Sequence, residues 1–471
     1  MGVIRSLFAW NDIINQNLTV ETYNRNYICR LRNMDEIYLV EIRLGRTKWR
    51  IRKTIFAIGR LFKIEPFIEK HPHITLFGPL TLNDGISSAK LFDVIGEVAA
   101  AFDPIPFTID GWEKREGMSG SVIAFRVRPS EELKKLTASI ADVVSPLVHS
   151  SNVWDAVPDS KWFHVTVANR LDPAVASFVF SVLTQCSREV AVQDGESPGF
   201  IAGIIFMLKR TITGKKRYEV RPITLDETGI RITVMQGDSI LAEYDLLEKR
   251  WIVGNHDHNN PAWQKTLALY RQKAGFERLD PILLDPDDIF LISDLHLGHA
   301  NIIRYCARPF FFPDFREMDH VLIKNWNYTI SPSNRVYYLG DLRYGRAAAS
   351  AGYYRNKLRG RISLIQGNHD IQESDAAPMI FLEHGGFRFC LVHDPSDAPK
   401  RFDGWIIHGH QHNNNLRCYP FINFKLRRIN VSAEVLGYVP VSLNHICNLI
   451  REGISGTDKT PILLNYAYSW E

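Results

Sequence analysis

The sequence predicts an α/β protein of two domains, and three observations lead to that prediction. The chain has 471 residues, more than one hydrophobic core usually organises. Up to about residue 250, apolar runs with the period of strands alternate with runs of helical period, and a second alternation begins at "IFLISD". Turn-rich segments at residues 255–261 and 279–288 separate the two series.

These breaks predict four regions. We expect an N-terminal extension at residues 1–35, a first domain at 36–254, a linker at 255–287 and a second domain at 288–471. The linker should contain a connecting helix, because Trp263, Leu267 and Tyr270 fall on one helical face after Pro261. Residues 229–277, a hairpin turning at Gly237 followed by this helix, are interpreted as an accessory extension of the first domain.

Composition narrows the class of protein. The formal net charge is only +4, so any surface that binds nucleic acid must be local. Six cysteines are scattered without a Cys-x-x-Cys pair, which favours reduced thiols and a cytoplasmic location. No apolar run has the length of a membrane span, so no membrane association is expected.

Two strand-like segments of the first domain each carry a histidine and a threonine two residues apart. "HPHITLFGP" holds His73 and Thr75, and "KWFHVTVANR" holds His164 and Thr166. Side chains two residues apart project from the same face of a strand, so each pair should face a groove while the intervening residues face the core. One imidazole can deprotonate a nucleophile, the other can protonate a leaving oxygen, and the hydroxyls can donate to phosphate oxygens. This chemistry needs no metal.

These motifs resemble the two-histidine (2H) phosphoesterases, which include the 2′-5′ RNA ligase-like proteins, over roughly residues 36–250. The resemblance implies a bilobal, pseudo-symmetric fold with the two motifs facing across a cleft. It also implies activity on 2′,3′-cyclic phosphates or 2′-5′ linkages, usually leaving a 2′-phosphate. Which histidine is the base and which the acid does not follow from the sequence.

A basic helix is predicted just before the first motif, in "RTKWRIRKTIFAIGR". Arg46, Arg50 and Lys53 share one helical face, and Trp49 lies beside them. Such a face can follow an RNA backbone while the indole stacks on a base, although a solvated charged face is the alternative.

The second domain carries five short polar segments, most of which directly follow apolar strand-like runs. Central strands that end in polar residues place them at one edge of an open sheet. Carboxylates, an amide and imidazoles without thiolate suit Mn²⁺, Fe²⁺ or Zn²⁺, singly or as a pair that would hold a phosphate. The segments supply Asp294 and His296, then Asp341, then Asn368, His369 and Asp370, then His393, and finally His410 and His412.

This series resembles the calcineurin-like metallophosphoesterases over residues 288–471, which implies a β-sandwich flanked by helices. The resemblance implies two divalent ions, Mn²⁺ first, with Fe²⁺, Zn²⁺ or Ni²⁺ as alternatives. It further implies that His369 protonates the leaving group and is oriented by Asp370. By the same resemblance, one ion is held by Asp294, His296 and His412, the other by Asn368, His393 and His410, and Asp341 bridges them.

Several nearby residues receive other interpretations. Arg308 and Arg343 are candidates either for phosphate contact or for structural ion pairs, whereas His299 and His408 are expected to support the ligands. Cys306 and the other cysteines of this domain are expected to be packing residues. A first Gly-Asn-His-Asp, at residues 254–257, lacks the other ligand segments and is interpreted as a turn.

The two resemblances together predict a bifunctional hydrolase of RNA or nucleotide phosphate ends. The first domain would open a cyclic phosphate or cleave a 2′-5′ bond, and the second would hydrolyse phosphomonoesters or diesters. One alternative is degradation of small nucleotide messengers, such as 2′-5′ oligonucleotides or cyclic dinucleotides. Another is a binding module without catalysis, which the presence of every motif residue disfavours. Protein partners are not predicted.

Overall fold

The computed structural model describes residues 37–64, 71–117, 120–192, 224–253, 261–281, 287–370 and 375–455. The predicted N-terminal extension and the turn at residues 254–257 lie outside these ranges. Within the described part of the chain, no helix has the length and apolar character needed to cross a bilayer.

The first domain alternates strands and helices as predicted. Four helices begin at residues whose side chains cap them, among them Ser87 and Ser130, which accept from backbone N–H groups of the first turn. The elements are β1 (Tyr38–Arg43), α1 (Lys48–Phe62), β2 (His73–Leu82), α2 (Ser88–Ala100), β3 (Ile105–Gly117), β4 (Gly120–Pro129), α3 (Glu131–Val144), β5 (Val148–Ser150), α4 (Val153–Ala156), β6 (His164–Leu171), α5 (Pro173–Val192), β7 (Thr224–Gly229), β8 (Arg231–Gln236), β9 (Ser239–Asp245) and β10 (Arg250–Val253).

Two antiparallel sheets share one hydrophobic core in this domain. One has the strand order β10-β9-β8-β1-β2-β5 and the other β6-β4-β3-β7. The predicted hairpin β8–β9 is confirmed, but its interpretation as an accessory extension is wrong. Strand β8 pairs with β1 along its length, with Ile42 opposite Ile232, and both residues are fully buried. The alternation of apolar residues predicts which face of β8 is buried, but it does not predict that β8 pairs with β1.

The second domain contains two mixed sheets. The order is β13-β12-β11-β19 in one and β14-β15-β16-β18-β17 in the other, and residues of both pack into one core. Its elements are β11 (Ile289–Ile292), α7 (Ala300–Tyr305), α8 (Phe315–Thr329), β12 (Arg335–Tyr338), α9 (Ala351–Arg355), β13 (Arg361–Leu364), β14 (Ile380–His384), β15 (Phe387–Leu391), β16 (Trp405–His408), β17 (Ile422–Asn423), β18 (Arg428–Asn430), β19 (Val441–Ser442) and α10 (Leu443–Ser455), and the connecting helix before them covers Pro261–Lys273.

The connecting helix packs against both domains. Leu267 and Tyr270 are buried in the core of the second domain. On the other side, the Thr266 hydroxyl accepts a hydrogen bond of 2.7 Å from Arg231 of β8. The helix therefore forms part of the interface between the domains.

The basic face of α1 lies mostly against other parts of the protein. The Arg50 guanidinium donates to the Asn413 side chain and the Asn414 carbonyl at 3.5 and 3.3 Å. Arg46 pairs with Glu227 at 3.3 Å and lies over the Tyr270 ring. The predicted RNA face thus makes interdomain and intradomain contacts at Arg46 and Arg50, whereas Lys53 stays exposed.

Candidate functional sites

The two His-x-Thr segments lie on neighbouring strands of different sheets. Strands β2 and β6 run next to each other, and on both strands the predicted alternation is confirmed. Ile74 and Val165, which follow the histidines, are 0% and 1% exposed. His73, Thr75, His164 and Thr166 are all half-buried on the opposite face.

Both histidines are held by the same backbone contact. His73 Nδ1 lies 2.8 Å from the carbonyl oxygen of His71, and His164 Nδ1 lies 2.9 Å from that of Trp162. A carbonyl can only accept, so each Nδ1 carries the proton of this bond and each Nε2 is left for other chemistry. The Thr75 and Thr166 hydroxyls form no hydrogen bond within the described part of the chain, which leaves them available to a ligand.

The surroundings of the two imidazoles differ. The His164 ring stacks on the Trp162 ring at 3.7 Å between centroids. Burial, together with the charges of His73 and Arg115, lowers the pKa of His164 to about 4. His73 Nδ1 instead lies 3.5 Å from a carboxylate oxygen of the buried Glu41, which stabilises positive charge on that ring. The neutral form is thus favoured at His164, whereas the His73 ring lies beside a carboxylate.

Arg115 is a candidate phosphate contact that the sequence did not reveal. Its guanidinium lies 4.6 Å from the centroid of the Trp162 ring, and its charge acts on His164. It belongs to β3, which reaches the His164 strand only through β4: Arg115 stands opposite Val122 of β4, and β4 pairs with β6. A strand prediction for β3 and its register would have been needed to find it.

The predicted ligands of the second domain meet at the carboxyl ends of parallel strands. Asp294 follows β11, Asp341 follows β12, and the second Gly-Asn-His-Asp follows β13. His393 and the His410/His412 pair follow the parallel strands β15 and β16 of the other sheet. Five of these residues have positive φ angles, between 49° and 66°, namely Asp294, His296, Asp341, His410 and His412. Such backbone conformations are costly for these residue types and often mark functional sites.

Two groups of the predicted ligands converge closely enough to hold cations. Ligand atoms of Asp294, His296 and His412 lie within 4.8 Å of one another, and so do those of Asp294, Asp341 and His393. Next to the second group, Asn368 Oδ1 lies 3.0 Å from His393 Nε2 and 2.9 Å from His410 Nδ1. The structure therefore brings all seven predicted ligands together.

The donor set fits a divalent cation. Both ring nitrogens of the buried His296 lack a hydrogen-bond partner in the described chain, which is costly unless another group satisfies them. The backbone also approaches the ligands so closely that a Cβ on Gly340 would lie 2.6 Å from His393 Nδ1. Burial opposes a charge on His393, yet the hydrogen bond and charge of Asp341 outweigh it and raise the pKa of His393 to about 9. The site thus attracts positive charge.

His369 and Asp370 occupy different environments. His369 lies at the surface, with Nε2 3.9 Å from Asp341 Oδ2, and its ring contacts that of Tyr344. The Asp370 carboxylate accepts from the backbone N–H groups of Asp341 and Gly367, at 2.6 and 3.1 Å. The prediction that Asp370 orients the His369 imidazole is corrected, because this carboxylate fixes the backbone of the ligand loops instead.

Glu434 is a buried residue of the site whose role the sequence did not identify. Its carboxylate lies 3.0 Å from His412 Nδ1 and 2.6 Å from the fully buried Arg308 guanidinium. Arg308 also donates to the carbonyls of Asp294 and Leu295 at 2.7 and 2.8 Å. Of the two interpretations of Arg308, the structural ion pair is therefore the one observed. Arg343 forms no side-chain hydrogen bond or ion pair within the described ranges.

Glu434→Gln is expected to weaken both the fold and metal binding. The amide leaves the Arg308 charge buried without its partner, a change that costs about 3–5 kcal/mol of unfolding free energy. Since His412 also loses its contact with the Glu434 carboxylate, the affinity for Mn²⁺ should fall roughly 10–100-fold. Denaturant unfolding and calorimetric Mn²⁺ titration measure the two effects. Glu383→Gln, at a side chain that is 81% exposed, is the matched control, and equal values for both variants would refute this role of Glu434.

The remaining polar residues support the ligands. His408 is fully buried and its Nδ1 lies 2.9 Å from the Gly409 carbonyl, while the His299 ring packs between those of His296 and Tyr344. Burial lowers the pKa of each to about 4. Cys306 is buried as predicted, but it lies beside His412 and Glu434, so it contacts the site rather than packing away from it.

Comparisons with known proteins match parts of the chain. The family model described as the 2′-5′ RNA ligase superfamily matches residues 50–194. The uncharacterized protein MJ1445 of Methanocaldococcus jannaschii is 48% identical over 167 residues, which cover 35% of this chain and 92% of that protein. The solved structure of AQ665 from Aquifex aeolicus, a protein of unknown function, is similar with 25% identity and a TM-score of 0.28, over 35% of this chain and 100% of that one. Usb1 of Kluyveromyces marxianus, solved with uridine monophosphate, is similar with 15% identity and a TM-score of 0.25, over 44% and 97%.

Proposed function

The chain belongs to the family of the archaeal protein MJ1445, and its residues 50–194 belong to the 2′-5′ RNA ligase superfamily; from this premise we propose that the first domain opens 2′,3′-cyclic phosphates at RNA or nucleotide ends. The observation that carries the proposal is the matched pair of histidines. Each has Nδ1 fixed on a backbone carbonyl, and a threonine hydroxyl lies two residues further along the same face.

We infer the roles of the two rings from their unequal surroundings. His164 is neutral at working pH, so its Nε2 takes the proton from the attacking water while the new P–O bond forms. His73, beside the Glu41 carboxylate, gives a proton to the 3′ oxygen as the P–O3′ bond breaks. The products are a 2′-phosphate and a free 3′ hydroxyl. Thr75 and Thr166 donate to the non-bridging oxygens, on which negative charge increases.

A prediction for the pH profile follows from this assignment. The value of kcat/KM for a 2′,3′-cyclic mononucleotide reports the free enzyme, and its acid limb should lie near pH 4, the pKa of His164, rather than near 6.5. Unfolded histidine keeps a pKa of about 6.5, so between about pH 6.5 and pH 4 the unfolded chain binds a proton that folded His164 does not. Burial of His164 therefore lowers the free energy of unfolding as the pH falls from about 6.5 to about 4. Brief assays on folded protein measure the limb, and a wild-type limb near pH 6.5 would rule out His164 as the base.

For the second domain we propose a dimetal phosphoesterase. Asp294, His296 and His412 would hold one divalent ion, and the other would be held by Asn368, His393 and His410, with Asp341 shared. When bound, such ions neutralise phosphate charge and lower the pKa of a coordinated water. His369, which is exposed at the rim, would protonate the leaving oxygen. The unpartnered nitrogens of His296 are the observation that supports this half of the proposal.

The two activities form a sequence, because the monoester left by the first is a substrate type for the second. A panel of cyclic, mono- and diester phosphates, assayed with EDTA and with Mn²⁺, tests each half. Ring opening should persist in EDTA, whereas monoester hydrolysis should require Mn²⁺. Loss of ring opening in EDTA would refute the first half, and hydrolysis without any metal would refute the second. Degradation of nucleotide messengers would instead appear as a preference for dinucleotides over RNA.

A further inference from the structure

A row of five rings runs from the metal-ligand cluster to the first domain. Tyr344 lies 4.2 Å from His369 between ring centroids, and His299 lies 4.7 Å from Tyr344. Tyr305 follows at 6.0 Å from His299, and Trp49 of α1 lies 5.0 Å from Tyr305. We call these five residues the aromatic row.

The row is open to solvent along part of its length. Tyr305 and Tyr344 are 42% and 41% exposed, although both contact neighbouring rings. Aromatic side chains of this size usually bury more of their surface when packing alone positions them. Since neither ring belongs to the predicted ligand set, the catalytic proposals above leave their exposure unexplained.

Cations border the row where it crosses between the domains. Lys53 Nζ lies 4.9 Å from the centre of the Trp49 ring, and Arg304, next to Tyr305 in α7, is exposed. The pKa of Lys48 is lowered to about 7 by burial and by the charges of nearby arginines, with Glu243 acting in the opposite direction. Those arginines are Arg43 and Arg52 of the first domain and Arg304 of the second, so cationic side chains from both domains lie around Lys48.

One of these arginines lies beside the first site. Arg43 stands directly opposite His73 in the pairing of β1 with β2, and its Nε lies 3.6 Å from the Glu41 carboxylate. The aromatic row ends at His369, beside the metal-ligand cluster. A row of exposed rings bordered by cations is how proteins hold single-stranded nucleic acid, because every base has a π face and every link carries a phosphate.

We propose that a single RNA strand binds along the aromatic row, with bases on the exposed rings and phosphates beside Lys53, Arg52 and Arg304. The strand thereby lies across both domains and its end reaches the metal-ligand cluster. This proposal rests on the proposed function and deepens it by naming single-stranded RNA as the substrate class. Of the basic helix that the sequence predicts as an RNA face, Trp49 and Lys53 belong to this proposed surface, whereas Arg46 and Arg50 contact other parts of the protein.

Binding in EDTA tests the proposal without any turnover. Tyr305→Ala in the full-length protein should raise the Kd for a short labelled single-stranded RNA about tenfold, the usual effect of removing one stacking ring. Tyr305→Phe, which keeps the ring, should bind like wild type. Tyr353→Ala is the matched control, because Tyr353 is 49% exposed in the same domain and carries Lys357 over its ring at 4.4 Å. Fluorescence anisotropy at low salt measures all four proteins.

Charge is tested by the salt dependence of the same binding. Arg304→Gln should reduce the slope of log K against log salt by about 0.7, the value for one phosphate contact with a single strand. Lys357→Gln should leave the slope unchanged. Equal Kd values for Tyr305→Ala and Tyr353→Ala, or binding of a mononucleotide as tight as that of the RNA, would overturn the proposal.

A small substrate separates this proposal from the proposed function. Hydrolysis of p-nitrophenyl phosphate with Mn²⁺ should be the same for wild type and Tyr305→Ala, because this substrate is too short to reach Tyr305, which two other rings separate from His369. If neither protein hydrolyses it, the proposed function of the second domain fails. The RNA-binding difference would still decide whether the row binds RNA.

Discussion

Asp341→Asn is expected to remove the metal-dependent activity while leaving ring opening intact. Asp341 Oδ2 lies 3.4 Å from His393 Nε2 and 3.6 Å from His296 Nε2, so its carboxylate faces both groups of ligands. The amide keeps the shape of the side chain but removes the negative charge that two cations would share. Losing several kcal/mol of transition-state stabilisation corresponds to a fall of about 10³-fold in kcat/KM.

Two measurements check this expectation on the same protein preparations. Elemental analysis gives the Mn²⁺ bound per chain, and hydrolysis of p-nitrophenyl phosphate gives the rate. Asp403→Asn is the matched control, because the Asp403 side chain is 88% exposed in the same domain. If Asp341→Asn retained both its Mn²⁺ content and its rate, Asp341 would not be a bridging ligand.

His164→Ala should have the converse effect, stopping ring opening and sparing the metal-dependent reaction. A positioned base contributes about 10²–10⁴-fold, and the rate of opening of a 2′,3′-cyclic mononucleotide should fall by that factor. The ring is half-buried against Trp162, so circular dichroism should accompany the assay to show that the variant folds. His149→Ala, at an exposed histidine of the same domain, is the control.

The His164 result also bears on the base assignment. If the rate of ring opening by His164→Ala stayed within about threefold of the wild-type rate, His164 would not be the general base, because such a base contributes about 10²-fold or more. Loss of Mn²⁺-dependent hydrolysis in the same variant would contradict the separation of the two sites, because His164 contacts none of the seven predicted metal ligands.

The sequence was informative wherever a local pattern determines direction. Alternation along β2 and β6 correctly predicted that Ile74 and Val165 face the core while the half-buried histidines lie on the opposite face. The rule that parallel strands place their carboxyl ends at one edge put Asp294 and Asp341 side by side, whereas His393 reaches them from the other sheet. Both inferences depend only on periodicity and strand direction, which are local properties.

Features that depend on long-range partners could not be predicted in this way. The pairing of β8 with β1, the contact of Arg50 with residues just beyond His412, and the Arg308–Glu434 pair each join segments more than 100 residues apart. Asp370 was misassigned for a related reason. Its position next to His369 suggested a side-chain pair, but the folded loop turns its carboxylate toward backbone N–H groups.

The central claim is that one chain carries a metal-independent site and a metal-dependent site that act in sequence on the same phosphate. A single-stranded RNA ending in a 2′,3′-cyclic phosphate tests this claim in one reaction, followed by chromatography of its ends. In EDTA the account predicts complete conversion to the 2′-monoester and no further change, and excess Mn²⁺ should then yield the dephosphorylated end and inorganic phosphate. A cyclic end that survives in EDTA, or a monoester that persists after Mn²⁺ is added, would contradict it.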